Sequence, residues 1–257
     1  MKLALIALLL PLITLSKELE TCYKVYFWFF PVAESCVEYS LNGKKLRIKS
    51  WAKTIVVGRL VKRVNSWGES TLEGLKPVSF ALFQREGSFI RDHIYFFKRH
   101  GIDYKIVRHK RGKEEVKEGF FESSVYLFDP FSTSLLIYID TPNYEGSTIN
   151  VFYDEKIQNV RYRTVGEGTI EVLGKDYPTW KVLLVPEIDT KGMLKPRGKW
   201  FAWIDKNTNI PVKLRVSFTI GSAEVLLYKV RGEEKLLLEV KNGQALILQG
   251  NALQGTR

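Results

Sequence analysis

The residues of this chain that could carry chemistry are two cysteines, three histidines, and basic side chains that outnumber acidic ones 39 to 28. Cys22 and Cys36 form an even, closely spaced pair, the pattern of a disulfide in an oxidising compartment. If the chain reverses near Phe29 to Pro31, the two fall nearly opposite each other on a hairpin. Closing that loop would add about 3 kcal/mol in the chain-entropy picture. Two buried free thiols are the alternative reading. His93, His100 and His109 match no metal-ligand spacing and read as surface histidines among lysines and arginines, so no metal and no cofactor is expected. Neither G-x-S-x-G nor H-E-x-x-H occurs, which removes the main support for a serine hydrolase or a zinc protease. Gly166-Glu167-Gly168 opens like a dinucleotide fingerprint but puts Glu171 where the third glycine belongs. Gly168 to Lys175 misses the P-loop spacing and is followed by Asp176, so both segments read as turns. The catalytic reading left open is glycan hydrolysis by two carboxylates that the fold brings together; the expectation is a protein with no catalytic residue.

Charge is densest at Lys98-Arg99-His100 and at Arg108-His109-Lys110-Arg111-Gly112-Lys113. Gly101 and Gly112 mark turns, which makes these hairpin ends. Lys98, Arg99, Arg108, Lys110, Arg111 and Lys113 are candidate contacts to an anionic membrane surface, each adding about 1 kcal/mol when close to it. The same lysines would also guard strand edges against aggregation. Tyr26, Phe27, Trp28, Phe29 and Phe30 are consecutive aromatics. A strand carrying them presents rings to both faces, so either protein covers both or one face lines a cleft for an apolar ligand.

The elements that must position these residues are mostly strands. Ile210, Val212, Leu214, Val216, Phe218 and Ile220 alternate with polar residues, the pattern of a strand buried on one face. Gly221-Ser222 then turns the chain, and Ala223, Val225 and Leu227 resume the period. Asn242-Gly243 predicts a second hairpin joining Leu236-Leu238-Val240 to Ala245–Leu248. Further strands are expected at 22–30, 33–41, 44–53, 78–85, 89–98, 103–110, 114–121, 148–153, 159–164, 168–173, 177–185 and 198–204. Asp129-Pro130 is an N-cap followed by proline at the first helical position, so Phe131 to Ile139 form a short helix that Pro142 stops. A weaker helix pattern covers 55–63. This predicts a mainly β, antiparallel half-barrel or open barrel with one or two short helices.

Residues 1–16 read as a cleaved signal peptide: Lys2 is positive, Leu3 to Leu15 are apolar, and Thr14-Leu15-Ser16 supply small residues. That stretch is shorter than the ~20 residues a spanning helix needs and contains Pro11. Residues 17–257 form a single β domain, with 232–257 as an extension holding the second hairpin and a frayed end. The location expected is the periplasm. Formal net charge is +11, or +10 without Lys2, which favours anionic partners. A secreted chain with no helix-turn-helix or stacking platform is not expected to bind nucleic acid.

The run D-P-F-S-T-S-L-L-I-Y from Asp129, the turn at Gly174 with Pro178-Thr179-Trp180-Lys181-Val182, and the closing W-I-D-K-N-T-N-I-P-V-K-L resemble an uncharacterised domain family of bacterial envelope proteins. In that family Asp-x-x-Ser opens a helix, here Asp129 and Ser132; a strand ending in Asp205 precedes Ile210-Pro211-Val212, and Gly221-Ser222 turns into the last strand. The likeness covers about residues 20 to 231. Ile139 departs from it, standing where the family has a basic residue. The family is similar to the lipoprotein-localisation factors, whose half-barrel closes a short-helix lid over an apolar cleft. The resemblance therefore implies a lipoprotein-carrier-like fold and a non-catalytic protein that binds a lipid, acyl chain or other amphipathic ligand, as an envelope carrier or assembly factor. The expected cleft residues are Phe27, Phe29, Leu135, Tyr138, Trp180 and Trp203. The alternative is a structural or interaction module that binds an envelope protein or anionic glycan.

Overall fold

The structure is a computed structural model that describes residues 16–61, 63–110, 112–189, 197–218 and 221–243. The signal segment, apart from Ser16, therefore lies outside the described residues, as do Arg111, Ile220 and the second arm of the expected C-terminal hairpin. Strands β1 (Lys17–Phe27), β2 (Phe30–Asn42), β3 (Lys45–Thr54), β4 (Asn65–Glu73), β5 (Lys76–Glu86), β6 (Phe89–Lys98), β7 (Gly101–Lys110) and β8 (Lys113–Glu122) follow one another, with helix α1 (Val56–Val61) between β3 and β4. Helix α2 (Pro130–Ile139) then leads to β9 (Ser147–Tyr153), β10 (Lys156–Val172), β11 (Lys175–Glu187), β12 (Trp200–Asp205), β13 (Pro211–Phe218) and β14 (Gly221–Gly232). All fourteen strands lie in one unclosed sheet, ordered β8 to β1 and then β14 down to β9. Neighbouring strands are antiparallel throughout, which is the open half-barrel that alternation predicted.

Residues directly opposite each other in antiparallel strands share a face. One such row runs Leu19, Tyr39, Ile48, Ser70, Phe80, Tyr95, Tyr104 across β1 to β7. From Leu19 to Tyr95 every member is buried, so this is the concave face. It wraps α2. Asp129 caps that helix, accepting from Phe131 N at 2.8 Å and Ser132 N at 3.0 Å, while Ser132 Oγ takes the reciprocal bond from Asp129 N. Leu135 and Ile139 join Leu19, Tyr39 and Ile48 in the main core, Ile137 packs on Val160, Val182 and Ala202, and Phe131 meets Phe80 edge-on at 5.4 Å. The helix touches both halves of the sheet and fills the space between them.

Several elements differ from the sequence expectation. The aromatic run does not stay in one strand: Phe27 pairs with Phe30, and Trp28-Phe29 are the turn between β1 and β2. Residues 65–73, with no clear apolar period, form β4, and 159–164 and 168–173 are one strand with a register shift beside Gly166. The expected strand at Leu236–Val240 is a helical segment, 236–243, which excludes it as the first arm of a hairpin. The reason is that Leu236, Leu237 and Val240 make an i, i+1, i+4 stripe, and that stripe packs on the core at the end of the barrel. Arg108 and His93, expected at the surface, point into the concave side, as described next.

Candidate functional site

The hairpin β1–β2 carries the cysteines. Cys22 and Cys36 are directly paired, with Cα atoms 4.1 Å apart, and form the expected disulfide. Glu20 lies beside them at metal-ligand distance, but both sulfurs are bonded to each other and present no thiolate. The disulfide begins a second cross-strand row on the convex face: Cys22, Cys36, Trp51, Trp67, Phe83, Asp92. Trp67 and Phe83 stack with centroids 5.3 Å apart, Lys53 Nζ sits 4.8 Å over Trp51, and the Arg85 guanidinium lies 5.4 Å from the Trp67 ring. These aromatics line a groove of about 470 Å³ that includes Cys36, Glu38, Lys49 and Glu69 and lies within the size range of small-ligand sites. Sequence reasoning passed over Trp51, Trp67 and Phe83. Their odd positions on alternating strands were visible, but only the register aligns them.

The six expected cleft residues do not share one surface. Leu135 is fully buried under the sheet, and Tyr138 lies on the same helix near Tyr23 and Tyr39, with burial pushing its hydroxyl up to about 12. Trp180 pairs with the buried Ile204 and so faces inward, between Tyr144 at 6.3 Å and Lys206 Nζ at 4.0 Å from its ring. Trp203 pairs with Lys181 and Lys213 on the opposite, convex face, and both ammonium groups lie within 5.5 Å of its ring. Phe27 is half-buried, and a Cβ placed on Gly221 would come within 3.0 Å of its ring, whereas Phe29 is 88 % exposed at the turn.

The basic residues are likewise divided. Lys98 and Arg99 line a recess of about 470 Å³ with Tyr126 at the β6–β7 end. Lys113, and Lys110 at the end of its strand, stand at the opposite end of the sheet. Arg108 reaches neither end: it faces Asp154 at 3.8 Å and Glu155 at 3.7 Å across the concave side. Those two acids form the β9–β10 turn, which lies against β6, β7 and β8. Arg91 bonds Asp154 at 2.7 Å with both side chains nearly buried, and Lys117 pairs with Glu155.

His93 lies under this turn. Its Nε2 donates to Gln84 Oε1 at 3.1 Å, an oxygen that also accepts from Tyr153 OH at 2.9 Å, and its Nδ1 faces Tyr95 OH at 2.8 Å. With the imidazole neutral and its proton on Nε2, Nδ1 accepts from Tyr95 OH, whose oxygen also accepts from Asp154 N at 3.3 Å. Burial, with the Arg91 and Arg108 charges adding to it against Asp154, lowers the imidazole to about 3. Asp129 is raised by burial, countered by its bonds from Ser132, Ser70 and Phe131. The network binds hairpin to sheet, although Arg91 Nε and Arg108 Nε are buried in it without a hydrogen-bond partner.

Residues 22–228 match the family model described as Protein of unknown function (DUF3108). The chain belongs to that family. This agrees with the uncharacterised family that the motifs at Asp129, Pro178 and Ile210 resemble. No curated protein matches the sequence. Among solved structures, a β-barrel-like DUF1849 protein from Brucella abortus is 10 % identical, with 84 % of this chain and 98 % of that one covered at a TM-score of 0.51, a likeness of fold. An outer membrane lipoprotein-sorting protein domain from Vibrio parahaemolyticus, 12 % identical over 90 % of this chain and 91 % of that one, has a TM-score of 0.25.

Proposed function

We propose that the protein is an extracytoplasmic, non-catalytic binding module that holds an apolar or amphipathic ligand in the convex groove over Trp51, Trp67 and Phe83. The observation that carries this reading is the stacked aromatic floor beside the disulfide, rimmed by Lys49, Lys53 and Arg85. A flat aromatic surface takes an acyl chain or other apolar body, and the ammonium groups of Lys49 and Lys53, each only loosely paired at 4.0 Å with Glu38 and Glu34, take an anionic head group at its margin. The concave side offers less room, because α2 occupies it. Burying an acyl chain contributes about 0.8 kcal/mol per CH₂, so even a partly covered chain gives useful affinity. The disulfide supports an oxidising compartment.

Native mass spectrometry of protein purified from its own envelope fraction, together with uptake of a fluorescent acyl probe, tests the reading. The expected result is a co-purifying lipid or saturable probe binding that Trp67→Ala weakens about tenfold. No bound lipid and no probe uptake would end it. A single stoichiometric protein recovered by pull-down instead would favour the interaction-module alternative.

A further inference from the structure

The turn between β1 and β2 leaves Trp28, Phe29 and Phe30 exposed by 77, 88 and 60 %. Grouped exposure of large apolar side chains marks a contact surface. The turn also carries a backbone penalty. Trp28 holds φ +61°, a conformation that two-residue hairpins give to Asn, Asp or Gly and that a bulky side chain disfavours. Only the first of the two turn residues has positive φ, so a turn shaped for folding alone would carry Gly at position 28. Next to it sits α1, locked on by Gly58, where a Cβ would come within 2.0 Å of the Val32 carbonyl oxygen. Val56 of this helix is 78 % exposed, and Arg59 and Arg63 are exposed beside it. Residues 25–33 contain no charged residue, and 55–64 contain Arg59, Lys62 and Arg63 but no acid.

We infer that this corner is a docking tip for an anionic lipid bilayer: Trp28, Phe29 and Phe30 enter the boundary between head groups and acyl chains, and Arg59 and Arg63 meet lipid phosphates. Trp28 and Phe29 lie beyond the last strand pair, Phe27 with Phe30, and stand in solvent, so the tip suits a deformable surface more than a pocket. Aromatic rings favour the membrane interface, and cations beside it gain from anionic lipid. A symmetric contact with a second copy would bring Arg59 and Arg63 near their own equivalents, an unfavourable meeting of like charges. The disulfide clamps the hairpin below the tip and fixes its direction. This site is separate from the groove over Trp67 and stands or falls independently of it.

Vesicle co-flotation tests the inference, using envelope-purified protein whose N-terminus is verified by mass to be the same in every variant. Wild type is expected to bind vesicles of mixed phosphatidylglycerol and phosphatidylcholine more strongly than phosphatidylcholine alone. The double variant Trp28→Gly, Phe29→Asn installs residues that suit this backbone, so it should fold at least as well and bind at least about tenfold more weakly. Phe29→Ser, which leaves the backbone of the turn untouched, should weaken binding in the same direction. Arg59→Gln with Arg63→Gln should remove most of the salt dependence, whereas Lys98→Gln with Arg99→Gln, at the other end of the sheet, should not. Equal binding by wild type and both tip variants, or absence of wild-type binding, overturns the inference. So does concentration-dependent self-association that the tip variants abolish without any vesicle binding.

Discussion

Two hairpin turns of the same length meet opposite fates. The β9–β10 turn, Asp154-Glu155, is acidic and is drawn under the barrel; the β1–β2 turn, Trp28-Phe29, is aromatic and stands in solvent. Both hold non-glycine residues at positive φ, 51° and 65° in the first and 61° at Trp28 in the second. Hydrophobicity alone would place them the other way round. What differs is the company each keeps: Arg91, Arg108 and Lys117 converge on the acidic turn and answer its charge, while nothing among the described residues covers the aromatic one. A buried charge with its partners is structural, and an exposed ring without them is available for contact.

Breaking the inner turn should produce the largest loss. Arg91→Ala leaves Asp154 buried with a weakened counter-charge and should destabilise by about 3–5 kcal/mol in chemical denaturation. A loss under about 1 kcal/mol would mean that Arg108 alone neutralises the turn. Reducing the disulfide, or replacing Cys22 and Cys36 together with Ala, should cost about 3 kcal/mol. Thiol titration of unfolded, unreduced protein should find no free thiol in Cys22 and Cys36.

The neutral imidazole sets a pH dependence. His93 is lowered in the folded state to about 3, so below its ordinary value near 6.5 the unfolded chain binds a proton that the native one refuses. Its contribution is therefore fully present above about pH 6.5 and is lost as pH falls toward 3, at about 1.4 kcal/mol per unit. Denaturation midpoints from pH 7 to 4 for wild type and His93→Gln should show that slope reduced in the variant. The smallest effect belongs to the outer turn, where Trp28→Gly with Phe29→Asn should change stability by less than about 1 kcal/mol, in the stabilising direction. A large loss there would mean that the exposed rings pack on something in the native protein.

The open antiparallel sheet was legible because one-sided burial imposes period two, and the segments from 78 to 121 and from 148 to 218 show it. The α2 cap was legible because Asp129, Pro130 and Ser132 do their work within one turn of chain. β4 was not. Of its inward positions Ser66, Gly68, Ser70 and Leu72 only the last is large, and the start of α2 lies against the middle two: Ser70 Oγ donates to Asp129 at 2.8 Å, and a Cβ on Gly68 would sit 3.1 Å from the Phe131 ring. A strand whose neighbour is a helix end loses its apolar signature. The candidate sites divide the same way. The disulfide could be read from hairpin spacing, but the groove joins Trp51, Trp67 and Phe83 from three strands, and no local pattern carries their register.

By itself the sequence determined the class of element at most positions, the helix cap, the cysteine pair and the cationic balance, because each rests on neighbours along the chain. The tertiary structure alone decided which face each aromatic occupies, that Trp180 and Trp203 stand on opposite sides of one sheet, and that Arg108 turns inward to an acidic hairpin. Those outcomes depend on strand register and on the curl of the sheet around α2, where a shift of one residue exchanges inside for outside.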